Sequence, residues 1–218
     1  MSSKFFLFLI FPIVLGQMKT PNIQRNLEET NNNFITVYIM RNTLLDVTLY
    51  TKYEEISHIT YENQNYDNGR IYAEAGKPIQ IHFSKAVESL HCFFFCKECS
   101  LDDDECYWSF FPLIYEVDFS NFDSSNLKST SLLFYWLQSL QSINFNNFNT
   151  SQVTTMEGMF AFCFQISSLN LSDFRTPLVT DMSGMFYLCQ NLEFLDISNF
   201  YFNDYYYMFE DTYAIKYK

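Results

Sequence analysis

A period of 26 residues governs the second half of this chain. Steps of 26 from Val117 reach Ile143, Leu169 and Leu195, and the same step carries Ile114 to Leu140, Ile166 and Leu192. It also carries Phe119 to Phe145, Leu171 and Ile197, and Phe122 to Phe148, Phe174 and Phe200. Four copies therefore share the frame apolar-x-x-apolar-x-apolar-x-x-Phe. A single copy has too little apolar surface to offset the entropy of ordering its own backbone. Copies must stack, each covering the flank of the next.

Within each copy the alternation at Val117/Phe119, Ile143/Phe145, Leu169/Leu171 and Leu195/Ile197 predicts a short strand with one face inward. Asp118, Asn144, Asn170 and Asp196 stand between those positions and point the other way. Further along, TTMEGMFAFC (154–163) and TDMSGMFYLC (180–189) place Met, Met, Phe and Cys at offsets 0, 3, 4 and 7. Thr154 and Thr180 suit helix N-caps, Glu157 completes a capping box, and the offsets form one stripe of a helix. Met156, Met159, Phe160 and Cys163, and Met182, Met185, Phe186 and Cys189, are on this reading core residues. A soft-ligand metal or redox box is the rival reading, but the stripe carries neither His nor carboxylate. Gly158 and Gly184 interrupt the stripe at matching positions, which suggests close approach of neighbouring backbones.

The runs VDFSNFDSSNL, INFNNFNTSQVTTMEGMFAFC and LNLSDFRTPLVTDMSGMFYLC, with their recurring V-T-x-M-x-x-M-F-x-x-C, resemble the BspA-type leucine-rich repeats of bacterial and protist surface proteins. The resemblance covers residues 114 to roughly 212. It implies a curved α/β solenoid, one strand and one short helix per repeat, used outside the cell in adhesion or recognition, with no enzymatic activity and no cofactor. The expected fold is thus a leucine-rich-repeat-like stack of four 26-residue strand-plus-helix repeats, the first and last degenerate, preceded by a small β-rich module. Two departures stand out. Phe122, Phe148, Phe174 and Phe200 occupy the place of the family's Asn or Cys, so an aromatic spine replaces an amide ladder. The first copy carries SLLFYWL (131–137), which reads as an entry cap, and Met208 keeps the period in the last.

Residues 1–16 pair a short basic start with the apolar run FFLFLIFPIVL and a closing Gly16, the pattern of a secretory signal peptide. Pro12 and the shortness of the run argue against a membrane span. Residues 17–33 read as a polar linker. FITVYIM, LLDVTLY, HITY, RIYAEA and PIQIHF then read as short strands, making residues 34–113 a β-rich lead-in to the repeats at 114–218. Cys92, Cys96, Cys99 and Cys106 are candidate disulfide partners in a secreted chain, with a zinc site as the rival. Cys163 and Cys189 are expected as buried free thiols on neighbouring helices.

The chain holds 13 Lys and Arg against 25 Asp and Glu, a formal charge of -12, which argues against a nucleic-acid partner. The acidic run LDDDEC lacks the spaced ligands and glycine of a calcium loop. No phosphate cradle or nucleophile motif occurs, and His58, His82 and His91 read as strand or surface residues rather than bases. Asn149 and Asn170 open N-x-S sequons. The leading expectation is a non-enzymatic secreted or cell-surface recognition protein. It would bind an extracellular protein or glycan through Asp118, Ser120, Asn144, Asn146, Asn170, Ser172, Asp196 and Ser198. The alternatives are a structural coat or matrix component that self-associates through its C-terminal repeat, and a truncated, non-functional gene copy.

Overall fold

A computed structural model describes residues 33–46, 55–67, 70–94, 113–201, 207–212 and 216–217. The signal segment 1–16, the linker 17–33 apart from Asn33, and Cys96, Cys99 and Cys106 lie outside them. The described strands are β1 (Phe34–Ile39), β2 (Thr43–Asp46), β3 (Ile56–Tyr61), β4 (Gln64–Tyr66), β5 (Arg70–Ala73) and β6 (Ile79–Phe83). They continue with β7 (Ile114–Asp118), β8 (Ser142–Asn144), β9 (Ser168–Asn170), β10 (Phe194–Asp196) and β11 (Lys216–Tyr217).

Alternation in FITVYI and IQIHF buries Ile35, Val37 and Ile39 with Ile79, Ile81 and Phe83 on one face. The five lead-in strands expected from the sequence are β1, β2, β3, β5 and β6. The unexpected β4 folds back on β3 through Glu62 and Asn63, both with positive φ. A two-residue hairpin needs such φ values, but Glu-Asn is a weak signal for one.

β1 sits between β6 and β7, antiparallel to both, and β7 pairs in parallel with β8. The result is one six-stranded sheet of order β4-β3-β6-β1-β7-β8. Lead-in and repeats therefore share a sheet and a continuous core. β9 and β10 pair in parallel at one period, β11 adds to β10, and β2 and β5 form a separate antiparallel ribbon.

Among the described residues, the segments that follow the repeat strands are not helices. Met159 N–H donates to Met156 O and Cys163 N–H to Phe160 O, two tight turns whose third residues, Gly158 and Phe162, have φ of 56° and 64°. Gly184 and Leu188, and Leu132 and Trp136, repeat this at the same step. The intervening N–H groups leave the copy altogether. Those of Gly158, Phe160 and Phe162 donate to Ser183, Met185 and Tyr187 of the next copy, and those of Leu132, Phe134 and Trp136 to Glu157, Met159 and Ala161. Thr154 and Thr180, expected as N-caps, donate through both amide and hydroxyl to Lys128 O and Thr154 O of the preceding copies.

The expected α/β solenoid of strand-plus-helix repeats is thus overturned on two counts. Among the described residues there is no α-helix. Nor do the four repeat strands form one parallel sheet, since β8 ends the six-stranded sheet and β9 begins another. The misreading has a physical cause: a four-residue turn unit points side chains inward at 0, 3, 4 and 7 as a 3.6-residue helix does.

The expected filling is present. Met156, Met159, Met182 and Met185 are at most 1% exposed. Phe134, Phe160 and Phe186 stack at 5.3 and 5.5 Å, with Phe94 and Phe209 extending the column at 5.8 and 5.5 Å. Phe122, Phe148, Phe174 and Phe200 form a second column at 6.2, 5.8 and 6.3 Å, the aromatic spine.

Both ends of the turn ladder leave the 26-residue period. Leu90 and Cys92 donate to Ser129 and Ser131, so residues 88–94 form an entry rung with Phe94 standing 40 residues before Phe134. Phe186 and Leu188 donate to Met208 and Glu210. Met208 therefore takes the place of Met185 after 23 residues, not that of Met182 after 26.

Between copies 2 and 3 the turn ladder continues while the strand ladder stops. Asn147 and Asn199 each donate a side-chain N–H to the carbonyl of the preceding copy, Ser120 O and Ser172 O. The equivalent residue in copy 3 is Asp173, whose carboxylate has no hydrogen to donate. Ile143 and Phe145, beside this break, are only partly buried.

Candidate functional site

The expected ligand face begins as a set of capped turns. Asp118, Asn144, Asn170 and Asp196 each accept, through Oδ1, the backbone N–H two residues on, at Ser120 (2.8 Å), Asn146 (3.0 Å), Ser172 (3.1 Å) and Ser198 (3.1 Å). These side chains turn the chain out of each strand, which accounts for Asp or Asn at that step without any ligand. Asn170 is exposed and the other three half-exposed. Ser198 and Asn146 are exposed, while Ser120 and Ser172 are half-exposed.

Strand pairing enlarges this face in a way the repeats alone could not announce. Asn65 lies opposite Thr60, Thr60 opposite Gln80, Gln80 opposite Thr36, Thr36 opposite Asp118, and Asp118 opposite Asn144. One polar row therefore crosses all six strands, with Thr60 Oγ1 donating to Asn65 Oδ1 at 2.9 Å. Asn170 and Asp196 pair in the next sheet. Thr60 and Gln80, both half-exposed, were missed as face residues, and Thr36 between them in the row is buried. Their outward parity was readable from the alternation, but the strand order that aligns them was not.

Aromatic side chains flank the row. A register shift in the β1/β7 ladder sets Tyr38 opposite Glu116 and Ile39 opposite Ile114, and Tyr115 lies 6.4 Å from the Tyr38 ring. Burial, with the carboxylates of Glu116 and Asp118, holds the Tyr38 hydroxyl above its ordinary pKa. On the other side Phe34 leans on His82 at 5.0 Å, and His82 stacks on His58 at 4.3 Å. Burial lowers the pKa of both imidazoles, and His82, with His58 beside it, is pushed down to about 4.

Asn149 and Asn170, the sequon residues, are both exposed, and Asn149 Oδ1 accepts from Ser151 N–H at 2.9 Å. Cys92 is buried with its Sγ 3.2 Å from His91 Nε2. Its expected partners Cys96, Cys99 and Cys106 lie outside the described residues. Cys163 and Cys189 are free and fully buried, and their thiols donate to Phe134 O (3.2 Å) and Phe160 O (3.0 Å) one copy back. Burial raises both pKa values, that of Cys189 to about 12. These thiols are filling for the stack, on turns rather than on the helices expected.

A family model described as "Mycoplasma protein of unknown function, DUF285" matches residues 107–218, just over half of the chain. The chain belongs to this family. The matched part of this DUF285 protein runs from before β7 to its last residue, so it holds all four copies but not the lead-in strands. The family is coarsely linked to BspA-type surface repeat proteins, and its description assigns no function. No curated protein and no solved structure shows a significant match. Among the described residues no helix is long and apolar enough to cross a membrane.

Proposed function

We propose that this DUF285 protein is a non-enzymatic recognition protein, secreted or held at a cell surface, that engages an extracellular protein or glycan through its outward sheet face. The observation carrying the proposal is the polar row of exposed and half-exposed Asn65, Thr60, Gln80, Asp118 and Asn144, in which Thr36 of β1 is the one buried member. At the usual strand spacing the six strands offer a face about 24 Å wide. Hydrogen-bonding side chains beside Tyr38 and Tyr115 suit a polar partner, and the half-exposed carboxylates of Glu116 and Asp118 disfavour an anionic one. The signal-like residues 1–16 support the location.

The test is binding of the labelled mature chain to a panel of cell surfaces and immobilised glycans. The double variant Gln80→Ala with Asn65→Ala should lose at least tenfold in affinity while unfolding at the same denaturant concentration. Unchanged binding by that variant sinks the proposal. A second reading, a coat or matrix subunit that self-associates through its C-terminal repeat, is favoured by the exposure of Phe194, Tyr201 and Tyr207 near the last copy. Light scattering separates the two, since a coat subunit grows with concentration and a recognition module does not.

A further inference from the structure

Two of the three histidines, His58 and His82, face each other in the ladder that fastens the edge of the large sheet. β3 joins that sheet only through β6, because its other neighbour, β4, is the edge strand. His58 on β3 lies opposite His82 on β6, at a register shift between Ile56 and His58. Their rings stack at 4.3 Å with 10° between planes. Ser57 completes the fastening: its hydroxyl donates to His82 O at 3.2 Å and lies 3.0 Å from His58 Nδ1. His82 Nε2 is buried and has no hydrogen-bond partner.

We infer that the His58–His82 stack is an acid-released clasp, closed while both rings are neutral and opened by protonation, which frees the β3–β4 edge ribbon from β6. Two imidazolium rings 4.3 Å apart repel each other, and a proton on His82 Nε2 would sit buried with nothing to accept it. Few neighbouring groups oppose this. β1 contributes the uncharged Phe34 ring, β6 brings no other charged group to the stack, and among the described residues Asp67, just past β4, is the carboxylate that favours charge on His58. It does not offset the burial.

The direction follows from linkage. Above the ordinary histidine pKa of about 6.5 both forms are neutral and the clasp carries no penalty. As pH falls from 6.5 towards the value of about 4 held by His82 in the closed form, the open ribbon binds protons that the closed one refuses, so opening is favoured. Between pH 7.5 and 5, the opening constant should rise roughly tenfold once the partial exposure of the rings is allowed for. The clasp does not depend on the proposed ligand.

Amide hydrogen exchange of the full chain, corrected for the intrinsic pH dependence of exchange, reads the clasp directly. Peptides spanning 55–67 should open about tenfold faster relative to peptides spanning 142–170 at pH 5 than at pH 7.5. His82→Phe, which keeps a flat ring without a proton, should remove most of that difference and leave only the part owed to the burial of His58. His58→Gln should also reduce it and serves if the first variant does not fold. An unchanged ratio, or the same rise in either variant, overturns the inference.

Discussion

Alanine at Gly158 probes the turn ladder at its tightest point. Gly158 has φ +56°, and a Cβ there would stand 2.6 Å from Leu132 Cδ2 of the preceding copy. A left-handed alanine costs about 1–2 kcal/mol. Leu132 must also rotate away from its rotamer, at about 0.5–1.5 kcal/mol. Gly158→Ala should therefore destabilise by roughly 2–3 kcal/mol. Gly184 is an internal control, because it has φ +60° but its added Cβ would meet only Tyr187 Cβ at an ordinary 3.7 Å. Gly184→Ala should cost only the backbone part, about 1–2 kcal/mol. Urea unfolding followed by circular dichroism gives both values. In a Leu132→Ala background, which removes the clashing Cδ2, the gap between the two alanine variants should close. Equal losses at Gly158 and Gly184 in the parent chain, or a gap that survives in Leu132→Ala, would refute the packing of copy 1 on copy 2.

Three further outcomes are expected. Asp173→Asn restores a side-chain donor at the break between copies 2 and 3 and should raise stability by about 0.5–1.5 kcal/mol in the same urea assay. Thr130 occupies the position of Met156 and Met182 and buries a hydroxyl with no partner, so Thr130→Val should stabilise by about 1 kcal/mol, and a loss would mean that the hydroxyl is satisfied. Residue-resolved alkylation at pH 8 should leave Cys163 and Cys189 unmodified until denaturant is added; labelling of the native chain within minutes would contradict their burial.

The repeat is a case in which one pattern serves two structures. The inward set of each copy, its two phenyl columns and its outward Asp or Asn are determined by the sequence alone, because a fixed period of 26 with matched apolar positions has to bury like against like. What MEGMF and MSGMF do with their backbone is different. Turn and helix place the same side chains inward, and only a neighbouring copy at hydrogen-bonding distance makes it favourable for Gly158, Phe160 and Phe162 to send their N–H groups outward.

Alternation also fixes which face of FITVYI and IQIHF is buried, since a strand's side chains can point only two ways. Strand order is a long-range property with no local signal. It was the pairing of β1 with both β6 and β7 that merged lead-in and repeats and aligned Thr60, Gln80 and Thr36 with Asp118. The ends of the ladder escaped for the same reason: Phe94 and Met208 stand 40 and 23 residues from their equivalents, and a count along the chain cannot register loops of changed length. Local chemistry thus settled what each segment buries. Tertiary contact decided where its backbone hydrogen bonds go, because a donor's partner is chosen by whatever the finished fold brings within about 3 Å.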